Sequence, residues 1–255
     1  MDNAFGQPQN VVVLGGSSDI ARAIVRKLCA ARVTTVVLAG RSPGLLEEAA
    51  AEARDYGATR TETVLFDAEE PSHAGRVVAE ALAKVGEPVD LVIVAVGLLG
   101  NQREMEDDPV AAARMVTVNM TWPVAALAEL RARLIAQGRG RILVISSVAS
   151  IRIRRSQYLY GAAKAGLDRH CQGLADSLAG TGVTLQLLRP GFVRSKMTEG
   201  EPEVPFTTGV NEVADNALAG LERAERVIWS PPILRYVFFV LRHLPAPIWR
   251  RVMDR

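Results

Sequence analysis

The chain predicts a single α/β domain, built on a doubly wound, seven-stranded parallel sheet with helices on both faces. Three observations carry that expectation. Short β-branched runs alternate with segments of helical period along most of the sequence, the pattern of right-handed βαβ units. The runs are apolar at successive positions and free of internal proline, as strands buried on both faces must be. No repeat, low-complexity linker or composition shift marks a second domain in the 255 residues. One domain over 1–255 is therefore expected, with 230–255 as a C-terminal apolar and basic extension.

The strands are expected over residues 11–14, 35–39, 62–66, 91–96, 141–146, 184–188 and 226–229. After the first, Ile20, Ile24 and Leu28 recur every four residues and share one helix face. The stretch 199–210 breaks the rhythm with glycine and two prolines. It reads either as a substrate-covering loop after the sixth strand or as an ordinary surface connection. Beyond 230 an apolar segment, 233–244, carries Arg235, Arg242 and His243 and is followed by Arg250, Arg251 and Arg255. That segment suits a membrane interface or a dimer contact.

Composition excludes several classes. The hydrophobic fraction of 49% is ample for a core, and a net charge of +2 argues against a dedicated nucleic-acid binder. Cys29 and Cys171 lie far apart inside helical segments, which suits a reducing compartment better than a disulfide. The first ten residues lack a basic n-region and an apolar h-region, and no run reaches the ~20 apolar residues of a membrane span. A cytoplasmic protein, or one peripheral at the plasma membrane, is expected. No metal site is read from the sequence.

The run VVVLGGSSDIARAIVRKL reads as strand, glycine turn, helix, the Rossmann-type arrangement that aims backbone N–H groups and a helix dipole at a pyrophosphate. Gly15 and Gly16 allow close backbone approach, and Ser17 or Ser18 can cap the helix and meet phosphate. The second strand ends Leu38-Ala39-Gly40-Arg41, with no acid for a ribose 2′-hydroxyl and one arginine for a 2′-phosphate. Arg41 leans towards NADP(H), unless it is a solvated cation or stacks on adenine. Asp67, closing the third strand, is placed either to meet the adenine amino group or to cap a helix.

Reducing a ketone needs a hydride donor and an acid for the developing alkoxide. A tyrosine with its reference pKa near ~10 is a poor acid at neutral pH, and a cation one helical turn away is expected to lower that pKa. Tyr160 and Lys164 are four apart and share a helix face, whereas Tyr158 faces Ala162. Ser147, closing the fifth strand, can polarise a carbonyl. Asn119 can hold a water that links Lys164 to solvent.

With these motifs in order, the chain resembles the short-chain dehydrogenase/reductase family from about Asn10 to Trp229. The likeness rests on the turn at Gly15, on Asp67, Asn119, Ser147 and Tyr160-x-x-x-Lys164, and on the run Arg189-Pro190-Gly191-Phe192-Val193 with Ser195. It implies a catalytic tetrad of Asn119, Ser147, Tyr160 and Lys164. It also implies that Ile20, Gly97, Pro190, Gly191 and Val193 join Gly15, Ser17, Ser18, Arg41, Asp67, Tyr160 and Lys164 in holding the dinucleotide. Two departures stand out. Asp19 and Ala21 replace the second and third glycines of the family's turn, and Val94-Ala95-Val96-Gly97 replaces an Asn-Asn-Ala-Gly run. Asp19 is expected to turn outward onto the helix N-terminus, where the dipole favours it.

The segments VAVGLLG, RIRRSQYLYGAAKAGLD, RPGFVRSKM and WSPPILRYVFFVLRHLP are similar to one branch of that family. Its members reduce decaprenylphosphoryl-2-keto-ribose to decaprenylphosphoryl arabinose for actinobacterial cell-wall arabinan. That resemblance implies a polyprenyl-phosphate-linked sugar substrate, a flavin-dependent partner oxidase, NAD(H) and a homo-oligomer, and it adds the periplasmic face as a third location. NAD(H) is thus slightly favoured over the NADP(H) that Arg41 suggests. Arg152, Arg154 and Arg155 lie between Ser147 and Tyr160, where a substrate phosphate would need neutralising, or else form a solvated basic loop. Two other functions stay open: a keto-reductase of a soluble substrate such as an acyl-thioester, and a non-catalytic dinucleotide sensor.

Overall fold

A computed structural model describes residues 7–86 and 88–253. The first half of the chain runs β1 (Asn10–Leu14), α1 (Asp19–Ala30), β2 (Thr35–Gly40), α2 (Pro43–Asp55), β3 (Arg60–Leu65), α3 (Ala74–Val85), β4 (Leu91–Val94), α4 (Gln102–Glu106), α5 (Pro109–Val116) and α6 (Trp122–Gln137). The second half runs β5 (Gly140–Ile145), α7 (Tyr158–Ser177), β6 (Val183–Pro190), β7 (Val193–Arg194), β8 (Thr208–Gly209), α8 (Val210–Glu222), β9 (Val227–Ser230), α9 (Leu234–Leu241) and α10 (Ala246–Met253).

Seven strands form one sheet in the order β3-β2-β1-β4-β5-β6-β9, and every pairing is parallel. The doubly wound expectation holds. Alternation along β1 shows why both faces must be covered: Val11 and Val13 join one core cluster, Val12 and Leu14 the other. Each such side chain contributes ~1.5–3 kcal/mol on burial, so slipping the register by one would exchange the two sets. Helices α1, α2 and α8 supply the first cluster, and α3, α6 and α7 the second. The strand order reverses between β1 and β4, which opens a crevice beyond their C-terminal ends.

Boundaries differ from expectation in two informative places. β4 stops at Val94, because after Ala95 donates to the Leu14 carbonyl at 2.7 Å the chain turns across the crevice. Ile20 does not share the depth of Ile24 and Leu28: those two are buried, while Ile20 borders the crevice.

Strands β7 and β8 pair with each other, Val193 opposite Thr208. They pinch the intervening segment into a loop beside the crevice. The tail is two short helices rather than one apolar stretch over 233–244. Pro245, which lacks an N–H and disfavours helix at the residue before it, separates α9 from α10. Arg255 lies outside the described residues. Among the described residues, no helix is long and apolar enough to cross a membrane.

Candidate active site

The crevice holds two adjoining cavities. One, of about 430 Å³, is bordered by Gly15, Ser17, Ser18, Arg41, Asp67 and Val118. The other, of about 340 Å³, contains Ser147, Tyr160 and Lys164. Ser18, Ile20 and the segment Ala95–Gly97 border both.

Glycine is required where the turn crosses β4. Gly15 has φ +96°, and a Cβ there would lie 2.7 Å from the Ala95 carbonyl carbon. The N–H groups of Gly15 and Gly16 are not free for a ligand. Both donate to the Ala39 carbonyl at 2.8 Å, which ties the turn to the end of β2. The free donors sit one step later, at the start of α1. Ser18 is the cap, its hydroxyl accepting from the Ala21 N–H at 3.4 Å. No acceptor among the described residues takes the N–H groups of Ser17, Asp19 or Ile20. These donors at a helix N-terminus suit a pyrophosphate.

Asp19 stands in the first turn of α1, as expected, and is also held from outside the helix. Its carboxylate accepts from the Lys196 backbone N–H at 2.7 Å, joining the turn to the loop after β7. Arg41 is exposed at the end of β2. Asp67 accepts from the Glu69 N–H at 3.0 Å, so it caps the local turn while bordering the first cavity.

Tyr160 and Lys164 stand on successive turns of α7. The Lys164 ammonium donates to the Ile145 carbonyl at 3.2 Å and lies 5.9 Å from the centre of the Tyr160 ring. Burial lowers the Lys164 pKa to about 8. The Tyr160 pKa is not depressed as the spacing suggested. Burial pushes the phenol up to about 12, with a hydrogen bond to Ser147 pulling the other way. The reason is geometric: Lys164 aims its charge at the strand carbonyl and the ring rather than at the phenolic oxygen.

Asn119 lies in a π-helical turn, Thr117–Thr121, a feature that often marks functional sites. It is fully buried. Its amide donates to the Leu98 and Met115 carbonyls at 3.0 Å each and accepts from the Leu98 N–H at 3.2 Å. Gly97 then becomes obligatory, because a Cβ would meet Asn119 Oδ1 at 2.9 Å and Lys164 Nζ at 3.2 Å. Pro190, Gly191 and Val193 border the second cavity on the side of β6.

The three arginines before Tyr160 part company. Arg152 borders the cavity, but its guanidinium is committed to the tail: it donates to the Arg242 and Leu244 carbonyls at 3.3 and 3.0 Å and stacks on Trp249 at 5.1 Å. Arg155 is exposed and borders a different cleft, with Gln102 and Glu106. Arg154 is half-buried and borders the cavity that holds Ser147 and Tyr160. Desolvation lowers its pKa, and no anion among the described residues offsets that cost. The rest of this wall is largely apolar, with Phe192, Val204 and Phe206 from the loop and Leu234, Val237 and Phe238 from the tail.

Sequence reasoning missed the support behind the site. Asp168, one turn beyond Lys164, takes a bidentate pair from Arg189 at 2.9 and 2.7 Å and further bonds from Ser146, Ser150 and Gln172. The single Ser150 hydroxyl proton is shared between Asp168 and the nearer Ser147 carbonyl at 2.6 Å, linking this buried pair to the loop that carries Ser147. An acid at helical spacing from Lys164 was the available signal.

A family model described as short chain dehydrogenase matches residues 9–204. An uncharacterized oxidoreductase of Mycobacterium tuberculosis is 41% identical over 252 residues, covering 99% of each chain. A short-chain dehydrogenase from Sphingobium yanoikuyae, solved in complex with NADPH, is 25% identical, covers 95% of this chain and 92% of that one, and superposes with a TM-score of 0.78. A Burkholderia phymatum short chain dehydrogenase/reductase in complex with NAD shares the fold, with 22% identity, coverage of 90% and 92%, and a TM-score of 0.75.

Proposed function

This chain belongs to the short-chain dehydrogenase family, and from that premise we propose that it uses NAD(P)H to reduce the 2-keto group of a polyprenylphosphoryl pentose. The observation that carries this reading is Arg154, a half-buried cation without a partner among the described residues, in an otherwise apolar cavity beside Ser147 and Tyr160. A substrate that is largely apolar and bears one phosphate near its ketone meets both demands. The guanidinium gains a bidentate anion, and the apolar wall gains a hydrocarbon. The likeness of the tail and the arginine loop to the sugar-lipid reductases points the same way.

Ser17, Ser18 and Ile20 would hold the pyrophosphate at the start of α1, with Gly15 giving close approach. Arg41 and Asp67 would face the adenosine, and Gly97, Pro190, Gly191 and Val193 the nicotinamide. Relatives in fold bind NADPH or NAD, and both cofactors are retained in this reading. The nicotinamide, when bound, supplies the hydride.

The chain's own residues handle the proton. Ser147 donates to the substrate carbonyl oxygen and orients it. Tyr160 gives its proton to that oxygen as negative charge develops, and its raised pKa keeps it protonated until then. Lys164, charged below about pH 8, lies over the Tyr160 ring rather than at its oxygen and adds only a nearby positive field to the phenolate left behind. Asn119 holds the Leu98 backbone, next to Gly97, which borders both cavities.

The test is turnover of a polyprenylphosphoryl 2-keto pentose with NADH and NADPH in parallel, using wild type, Tyr160→Phe and Arg154→Gln. Tyr160→Phe should lose on the order of a hundredfold or more in kcat, the scale of general acid catalysis. Arg154→Gln should raise KM for the phosphate substrate about tenfold or more, the worth of a hydrogen bond to a charged group, and leave a neutral soluble ketone unaffected. Oxidation of neither cofactor by wild type would sink the substrate assignment. Function in cells that survives Tyr160→Phe, without turnover by wild type, would favour a non-catalytic dinucleotide sensor.

A further inference from the structure

Helix α9 has two apolar faces and needs only one of them for the fold. Leu234 and Phe238 are buried against Val148, and with Val237 and Leu241 they border the cavity that holds Tyr160. The opposite face carries Tyr236, Phe239 and Val240, which are 66%, 59% and 60% exposed. Ile233 before the helix and Ile248 on α10 are exposed as well. Across the cavity mouth, Met197 and Phe206 of the loop after β7 also border the cavity and are about half exposed.

Charge on the tail has one sign. No acidic residue occurs between Glu225 and Asp254, whereas Arg235, Arg242, Arg250 and Arg251 are all exposed there. Arg242 stacks on Phe239 at 4.9 Å, so a cation and an aromatic ring share one spot. The acids of the neighbouring loop do not border this cavity. Glu199 and Glu201 border the cleft shared with Arg103 and Arg155, and Glu203 pairs with Arg194 at 3.1 Å.

The tail is also anchored. Arg152 holds the carbonyls after α9, and the Trp249 indole donates to the Ile153 carbonyl at 3.2 Å. Whatever α9 and α10 rest on is thereby fixed relative to the loop that carries Arg154.

We infer that α9, α10 and the exposed side chains at the cavity mouth form a docking face for an anionic phospholipid surface, so that the catalytic cavity opens at the membrane interface. Exposed aromatic and aliphatic groups interleaved with arginines bind such an interface by combining apolar burial with attraction to anionic head groups. A second copy of this chain would bring the same arginines against themselves around a two-fold axis, which disfavours that occupant. The docking inference deepens the reading of the substrate as a lipid-linked anion, but it does not use turnover as its evidence.

The experiment is flotation of the full chain with vesicles of phosphatidylcholine alone and with a third phosphatidylglycerol, at low and high salt. Wild type is expected to float with the anionic vesicles and to be released by salt. Tyr236→Asp with Phe239→Asp should bind at least about tenfold more weakly, and Arg235→Gln with Arg251→Gln should lose the preference for anionic lipid. Circular dichroism and reduction of a soluble ketone confirm that the variants are folded. Flotation of neither vesicle by wild type, or unchanged flotation of both variants, would overturn the inference. So would a wild-type dimer in sedimentation that Phe239→Asp splits without any lipid binding. If the sugar-lipid ketone is not reduced but the vesicles are still bound, the substrate reading fails and the docking face stands.

Discussion

Replacing Asp168 with asparagine tests whether the site rests on a dry ion pair. The Arg189 and Asp168 side chains are 10% and 3% exposed. Five hydrogen bonds converge on the carboxylate, and every one comes from a donor: Ser146, Ser150, Gln172 and two from Arg189. An amide cannot satisfy that set. If its NH2 takes the Oδ1 place it faces Arg189 Nη2 and Gln172, and if it takes the Oδ2 place it faces Arg189 Nε. Either way one guanidinium N–H loses its acceptor and the cation loses its counter-charge. Leaving a buried charge unpaired costs roughly 3–5 kcal/mol, and the retained carbonyl puts Asp168→Asn near the lower end. Urea unfolding at neutral pH measures it, and a loss below about 1 kcal/mol would show that the pair is solvated and refute the argument. Arg189→Met with Asp168→Leu should recover much of the loss, because removing both charges also removes their desolvation cost. Asp168 has a lowered pKa, chiefly because hydrogen bonding and the charge of Arg189 outweigh burial. Its stabilisation is therefore complete above the unfolded value near ~3.9 and is lost as pH falls through the lower folded value.

Three further outcomes follow from the site. With the Lys164 pKa lowered to about 8, kcat/KM for ketone reduction should fall as pH rises through about 8. The same shift makes folding stability rise with pH between about 8 and 10.5, where the unfolded chain still holds a proton that the folded one has released. A pH-independent rate from 7 to 9 would count against the role of Lys164. Gly97→Ala should lower kcat at least about tenfold and stability by about 1–3 kcal/mol, since its Cβ would press on Asn119 and Lys164 at 2.9 and 3.2 Å; steady-state kinetics and urea unfolding read the two losses. Arg41→Ala should raise KM for NADPH about tenfold, the worth of one charge-assisted contact, while sparing NADH. Equal effects on the two cofactors would remove Arg41 from 2′-phosphate recognition.

The sheet was legible because burial on both faces leaves a continuous apolar run, and each of the seven runs became a strand within two residues of its expected ends. Tyr160 and Lys164 were legible because helical spacing is a local property. Where a side chain's partner lies far along the chain, the sequence carried no such signal. Asp19 looked like a misplaced acid beside a phosphate until Lys196, 177 residues away, supplied its donor. The turn was expected to aim N–H groups at a pyrophosphate, and the end of β2 takes those of Gly15 and Gly16.

Arg152 and Arg154 make the same point within one loop. They are two positions apart and identical in chemistry, and the sequence read both alike, as phosphate ligands or as part of a solvated basic loop. Beyond α9, which ends at Leu241, the Arg242 and Leu244 carbonyls lie outside the helix and within reach of Arg152. A guanidinium with five N–H groups and an indole to stack on is well matched to those two carbonyls. Arg152 is thus consumed in holding the tail over the cavity, and the anion-binding capacity of the loop falls to Arg154. Under the function proposed above, the tail would bear on substrate choice twice over: it walls the cavity, and by engaging Arg152 it leaves Arg154 as the cation of this loop that borders it.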